Sequence, residues 1–300
     1  MSSATRRLIA NLRTRLGHAN PMGTPPPVQR IPDPPHRVFP RPTERAAYAK
    51  LAAAHTTALV GIGHVGTRYA TDVVLQFQAE LAVAHQAVAA ELDEGWAEEQ
   101  GLLALRSQVQ SHREFLLRPD KGRRLSSESR ALLEAKGVHD IDVQLILADG
   151  LSAVACMGSG MELLCALEEA CKARGMSVGT RVCAQFARVW LQDEIGSVVR
   201  SKVAIILLGE RPGLGTGDGL SAYLVYDPQV GKTDGERNMI SNIHPRGMAP
   251  SIAADRLAQL AQAMIAQERS GVRLDLSQLP ELQSSAATSQ HRQRLVEVAP

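Results

Sequence analysis

Two short apolar runs set what this chain can fold into. They are VQLILA at 143–148 and KVAIILLG at 202–209, the second being the most strongly apolar segment of all. A run in which almost every side chain wants burial fits a strand covered on both faces, as in a parallel sheet. Between and after them the texture alternates. Gly160 to Arg174 reads as a helix ended by Gly175, CAQFARVW (183–190) as a strand, and QDEIGSVVR as a short helix. SAYLVY (221–226) reads as another strand, and Ser251–Gln267 as a final helix with Ile252, Leu257, Leu260 and Met264 on one side. Apolar strands alternating with helices predict an α/β layer built on a mostly parallel sheet.

The first half differs. Residues 44–118 read as mainly helical, a region expected to pack on the α/β domain at 119–273. One helix opens at Thr43 or Glu44. A Gly-rich turn, GIGHVG, leads to a long helix at Thr71–Leu92 with Val73, Val74, Phe77, Leu81, Val88 and Leu92 along one stripe. A third helix is expected from Trp96 to about Ser111 through Leu102, Leu103, Leu105 and Val109. Ahead of this lies a basic leader, residues 1–43. Residues 3–17 form a short amphipathic pattern, with Leu8, Ile9, Leu12 and Leu16 opposed to four arginines. A frayed terminus is the plainer reading, since so short a helix is marginal alone. Residues 18–43 are a linker: nine of the 16 prolines fall between Pro21 and Pro42. Residues 274–300 read as a polar tail.

Charge and composition exclude several classes. The net charge is +2, yet residues 1–32 hold five arginines and no acid, so the remaining body carries −3. Such a body is not built to neutralise a nucleic-acid backbone, and 3% aromatics leave few rings for base stacking. No apolar run approaches the roughly 20 residues that span a bilayer. The four cysteines, Cys156, Cys165, Cys171 and Cys183, form no zinc-type spacing and read as core thiols of a cytoplasmic protein.

Several motifs invite a functional reading. Gly61 to Gly66 matches G-x-G-x-x-G, but no strand precedes it and no second strand follows its helix, so an inter-helix turn outweighs a nicotinamide-dependent dehydrogenase. Gly231-Lys232-Thr233 lacks the upstream glycine of a phosphate loop, since that position is Tyr226. The charged stretch from Arg118 to Leu125 fits either a solvated junction or an interface fixed by arginine forks. Two loops directly follow apolar strands, Asp149 to Ser152 and Gly209 to Gly215, where open α/β sheets bind ligands. Ordinary turns explain them equally well. His244 is the only histidine in a polar cluster, and no nucleophile–base constellation emerges.

Taken in order, GWAEEQGLLALRSQV, LLRPDKGRRL, ILADGLSA, VWLQDEIG, KVAIILLGERPGLGTGDGLSAYLVY and MISNIH make the chain resemble the small (light) subunit of ethanolamine ammonia-lyase, over roughly residues 60–272. The resemblance implies a coenzyme B12-dependent enzyme shared between two chains. A large (heavy) subunit, a TIM barrel, would hold ethanolamine, while the small subunit grips adenosylcobalamin at the subunit interface. Cobalt–carbon homolysis there starts a radical rearrangement to acetaldehyde and ammonia. The residues aligned with cobalamin contacts are Val189, Glu210 and Met239, the last standing where the family can have Cys. No catalytic or metal-ligating residue is expected in this chain.

Elementary chemistry agrees with the carry-over. The corrin rim carries primary amides, and a carboxylate such as Glu210 can accept from them, as can backbone carbonyls at Val189 or Met239. No Asp-x-His-x-x-Gly occurs, so cobalt is expected to keep its own dimethylbenzimidazole. The segment GHVGTRYAT departs from a more basic, proline-richer family version. The resemblance also makes residues 3–17 a candidate address for a protein-shelled microcompartment. A non-catalytic interaction protein remains as a further alternative to the lyase.

Overall fold

The computed structural model of the chain describes residues 67–214, 217–245 and 247–277. Two compact units are distinguished, Met1–Val83 and Ala84–Pro300. The described part of the first holds the opening of helix α1 (Thr71–Ala89), where the Tyr69 and Phe77 rings lie 5.9 Å apart. Along the expected stripe of α1, Val74 and Leu81 are exposed. The basic leader, the linker, the helix opening near Thr43 and the GIGHVG turn lie outside the described residues.

The second unit is the α/β layer that the two apolar runs predict. Its six strands are β1 (Leu103–Arg106), β2 (Val143–Ala148), β3 (Val182–Gln185), β4 (Val203–Gly209), β5 (Leu220–Tyr226) and β6 (Arg237–Ile243), in the order β1-β3-β2-β4-β5-β6. The first four in that order are mutually parallel, and β4, β5 and β6 are antiparallel neighbours. The helices of this unit, after the end of α1, are α2 (Trp96–Glu99), α3 (His112–Leu117), α4 (Ser127–Lys136), α5 (Ala153–Ala155), α6 (Met161–Ala173), α7 (Leu191–Val199) and α8 (Pro250–Gln267). Among the described residues, no helix is long and apolar enough to cross a membrane.

The core follows strand alternation. On one face, Leu145, Leu147, Ile205 and Leu207 pack with Leu163, Leu164 and Leu167 of α6 and Leu257 and Ala261 of α8. On the other, Ile146 and Ile206 meet Leu133 of α4 and Leu191, Ile195 and Val199 of α7. Every residue of β2 is buried, which is why its sequence shows no polar alternation.

Three expectations need correction. The third helix ends after one turn at Glu99, because Gly101 turns the backbone to φ 69° and Leu103–Arg106 pairs in parallel with β3 instead. The helical half of the sequence therefore contributes a strand to the sheet. The strand expected over 183–190 stops at Gln185, where Phe186 takes φ 54° and starts a loop. At the far end, Leu274, placed in the polar tail, is buried in the core, and Gln267 holds Asp275 through two backbone bonds of 2.9 Å.

β2 connects to β3 through α6 on one face, whereas β3 connects to β4 through α7 on the other. The carboxyl ends of β2 and β3 are thus a point where connections part, the usual location of a ligand crevice. Here the loops after β2 and β4 close on each other. Leu151 N–H donates to the Gly209 carbonyl at 3.0 Å, and the Ser152 hydroxyl donates to the Gly217 carbonyl at 2.9 Å. A Cβ on Gly209 would collide with the carbonyl oxygens of Asp149 and Ser152. Backbone cannot retreat cheaply, so Gly209→Ala is expected to cost about 1–3 kcal/mol, read as a lowered urea midpoint.

Candidate functional site

The loop after β3 carries Val189 into α7, and its path is set by one buried acid. Asp149, at the end of β2, accepts from the N–H groups of Phe186 at 2.7 Å and Ala187 at 3.2 Å. Beyond it, Arg188 N–H donates to the Gly122 carbonyl at 2.8 Å, and its guanidinium reaches the Phe115 carbonyl at 2.8 Å. Val189 is half-buried, and its carbonyl receives Gln192 N–H at 3.3 Å.

Gln192, Asp193 and Glu194 then form three consecutive buried polar residues in the first turn of α7. Each reaches a different part of the fold. The Gln192 amide, oriented so that its nitrogen faces acceptors, donates to the carbonyls of Ala204 (3.2 Å) and Tyr223 (2.9 Å). Asp193 takes a two-pronged bond from Arg237 of β6, at 2.7 and 2.6 Å, with both side chains almost fully buried. Glu194 accepts Leu125 N–H at 2.9 Å and Arg130 at 3.1 Å, ahead of and within α4.

Glu210 leaves the end of β4 on the α7 side of the sheet. Ser221 Oγ of β5 and Asn242 N–H of β6, the latter at 3.2 Å, both donate to its Oε1. Among the described residues, Oε2 makes no hydrogen bond. Asn242 adopts φ 59° at an irregularity in the β5–β6 pairing, and its side-chain oxygen meets His244 Nε2 at 2.7 Å. His244, the histidine singled out by its polar cluster, is thus a buried ring that shapes the bend presenting Asn242 to Glu210.

Met239 lies on β6, an edge strand, and is half exposed. Its register partner is Tyr223. Cross-strand partners point to the same side, so Met239 shares the face of Tyr223, which packs on the α7 layer. The three expected site residues are therefore linked through one set of contacts around Tyr223. Val189 is tied through Gln192 to Tyr223, Tyr223 is paired with Met239, and Ser221, two residues before Tyr223, holds Glu210. Among the supporting residues, Asp149 and Ser152 fall within the flagged loops, whereas Ser221, Asn242, Asp193 and Arg237 come from elements distant in sequence.

The two flagged loops thus have a mixed outcome. Ser152 caps α5 by accepting Ala155 N–H at 3.1 Å, and Asp149 braces the β3 loop from behind. A small cavity lies there among the described residues, lined by His112, Phe115, Asp149, Leu151 and Phe186 among others. The segment from Arg118 to Leu125 is a turn packed on the Phe186–Trp190 loop, with Arg123 stacked 4.4 Å from the centre of the Trp190 ring.

Burial raises the Asp149 carboxyl to about 7, while the amides of Phe186 and Ala187 pull the other way. An unfolded aspartate titrates near 3.9. The folded state thus holds the proton more firmly, and this contribution is full below about pH 4 and lost as pH rises to about 7. Asp149→Asn cannot titrate. Its destabilisation relative to wild type is therefore expected to shrink between pH 4 and pH 7, by as much as roughly 4 kcal/mol, in parallel urea unfolding series.

Residues 46–275 match the family model described as ethanolamine ammonia-lyase light chain. The match takes in the whole sheet, the α7 turn and the hairpin that holds Glu210. This chain belongs to the ethanolamine ammonia-lyase light chain family.

Proposed function

We propose that the chain acts with a large subunit as an adenosylcobalamin-dependent ethanolamine ammonia-lyase, and that its own task is to hold the cofactor at the subunit interface. The observation that carries this reading is Glu210. Its Oε1 is pinned by Ser221 and Asn242, while Oε2 has no hydrogen-bond partner among the described residues and can accept from a ligand. A pre-oriented acceptor loses little freedom when it meets a donor. The amide-bearing rim of a corrin offers such donors, so the residues present fit the group.

When bound, adenosylcobalamin supplies the radical chemistry that converts ethanolamine to acetaldehyde and ammonia. Glu210 Oε2 accepts from a rim amide, and Val189 and Met239 contribute through their backbone. Asp149 and Gln192 set the position of the Val189 loop, and Asp193 with Arg237 sets that of β6. The large subunit holds the substrate. The dehydrogenase reading of Gly61 to Gly66 loses ground, because that segment falls inside the family match.

Equilibrium binding of adenosylcobalamin to the co-purified two-subunit complex tests the assignment. Glu210→Ala should raise Kd roughly 10- to 100-fold, the worth of a hydrogen bond to a charged group. An unchanged Kd removes Glu210 from the site, and a complex that releases no ammonia from ethanolamine sinks the lyase reading. Residues 1–20 are proposed to serve location alone, with the cytoplasm or a protein-shelled microcompartment as the destination. Their deletion should leave ammonia release intact and change only solubility or placement in the cell. A loss of turnover would contradict that role.

A further inference from the structure

The surface beside Val189 carries positive charge that the fold does not neutralise. Six basic side chains belong to the turn after α3 and the loops after β3 and β4. Three have acids. Arg118 pairs with Asp120 at 2.6 Å, Lys121 with Glu114, and Arg124 with Glu194 at 3.2 Å. Arg123, Arg188 and Arg211 have no carboxylate partner among the described residues.

Their fixing is aromatic and backbone-based. Arg123 stacks on Trp190, and Arg188 stacks on Phe115 with its guanidinium carbon 4.0 Å from the ring centre. Arg188 Nε is buried without any hydrogen-bond partner. A buried, unbonded guanidinium N–H is costly to leave unmade. Burial and the like charges of Arg123 and Arg211 hold the Arg188 guanidinium below its ordinary pKa, with Asp149 pulling it back up. Arg211, directly after Glu210, is exposed. Two of the three thus adjoin residues proposed to hold the corrin: Arg188 precedes Val189 and Arg211 follows Glu210.

We propose that Arg123, Arg188 and Arg211 together receive the phosphate ester of the bound corrinoid. The inference rests on the cobalamin reading above and adds to it the recognition of an anion. A guanidinium fork matches phosphate geometry, and stacked forks are already aligned before the ligand arrives. The phosphodiester in the nucleotide loop of cobalamin is a full negative charge that a carboxylate acceptor such as Glu210 cannot serve.

The test uses two probes that differ in one group, cobinamide and cobinamide phosphate, bound to the co-purified two-subunit complex. Wild type should favour cobinamide phosphate. Arg123→Gln and Arg211→Gln change exposed side chains, so folding is not at stake, and thermal unfolding of each complex checks this. Each substitution should reduce the preference roughly tenfold and leave the Kd for cobinamide unchanged. The inference is overturned by a wild type with no preference. It is overturned equally by variants that keep the preference, or that weaken both probes to the same degree. Adenosylcobalamin bound to the same complex is the control: a wild type that binds it but neither probe overturns this inference alone, and one that binds none of the three overturns the cobalamin reading as well.

Discussion

The buried ion pair between Asp193 and Arg237 is the joint on which the proposed binding face depends. Among the described residues β6 is an edge strand, paired with β5 and otherwise touched only by a single bridge from Ile243 to Met248, and an edge can slip unless something other than the ladder specifies its register. Arg237 provides that specification by reaching into the first turn of α7 with two bonds to a carboxylate. Such a pair contributes little net stability over an apolar replacement, because desolvation offsets most of the attraction. Its value lies in geometry. A register slip by one residue would turn Met239 to the opposite face and would carry Asn242 N–H away from Glu210.

Asp193 is one of three. Gln192 joins the same turn to the centre of the β4–β5 pair, and Glu194 joins it to the segment before α4. A helix of nine residues thereby becomes a hub for the sheet and for two loops on its face. Asp149 performs the matching task from the other side. Among the described residues it carries no ion pair, and its oxygens fill the donor needs of a loop that left the sheet at Phe186. Without it, two N–H groups would be buried and unbonded, a loss of about 1–3 kcal/mol each.

What the amino-acid order reveals tracks how much of each element's environment is local. VQLILA and KVAIILLG are legible because both their faces are covered, and burial writes itself into every position. β1 hides because LLALRSQV spaces its leucines like a helix, and only the long-range pairing with β3 decides otherwise. β6 hides because its sequence, RNMISNI, alternates burial weakly on a half-exposed edge. The same logic divides the site. Glu210 stands out through the segment GERPGLG. Its partners Ser221 and Asn242 lie 11 and 32 residues away, in segments that stand out themselves, but that they meet Glu210 is not visible until the hairpin folds. The burial of Asp149 is equally invisible, since an acid before glycine in a loop ordinarily faces water.

The division of charge on this face follows from the same contacts. The acids at its base, Asp149, Asp193 and Glu194, are spent on internal donors, so they offer nothing outward. Glu210 is spent on one oxygen only. The arginines around them are divided likewise: Arg237 is buried against Asp193, Arg130 and Arg124 are half exposed but paired with Glu194, and Arg123 and Arg211 are exposed with no carboxylate partner among the described residues. Among the described residues, a surface built this way exposes a fixed acceptor and cations that adjoin it. That pattern suits a ligand with neutral amide donors at one edge and an anion at another. It is poorly suited to an acidic macromolecule, which would need positive charge spread along a path rather than gathered beside a carboxylate.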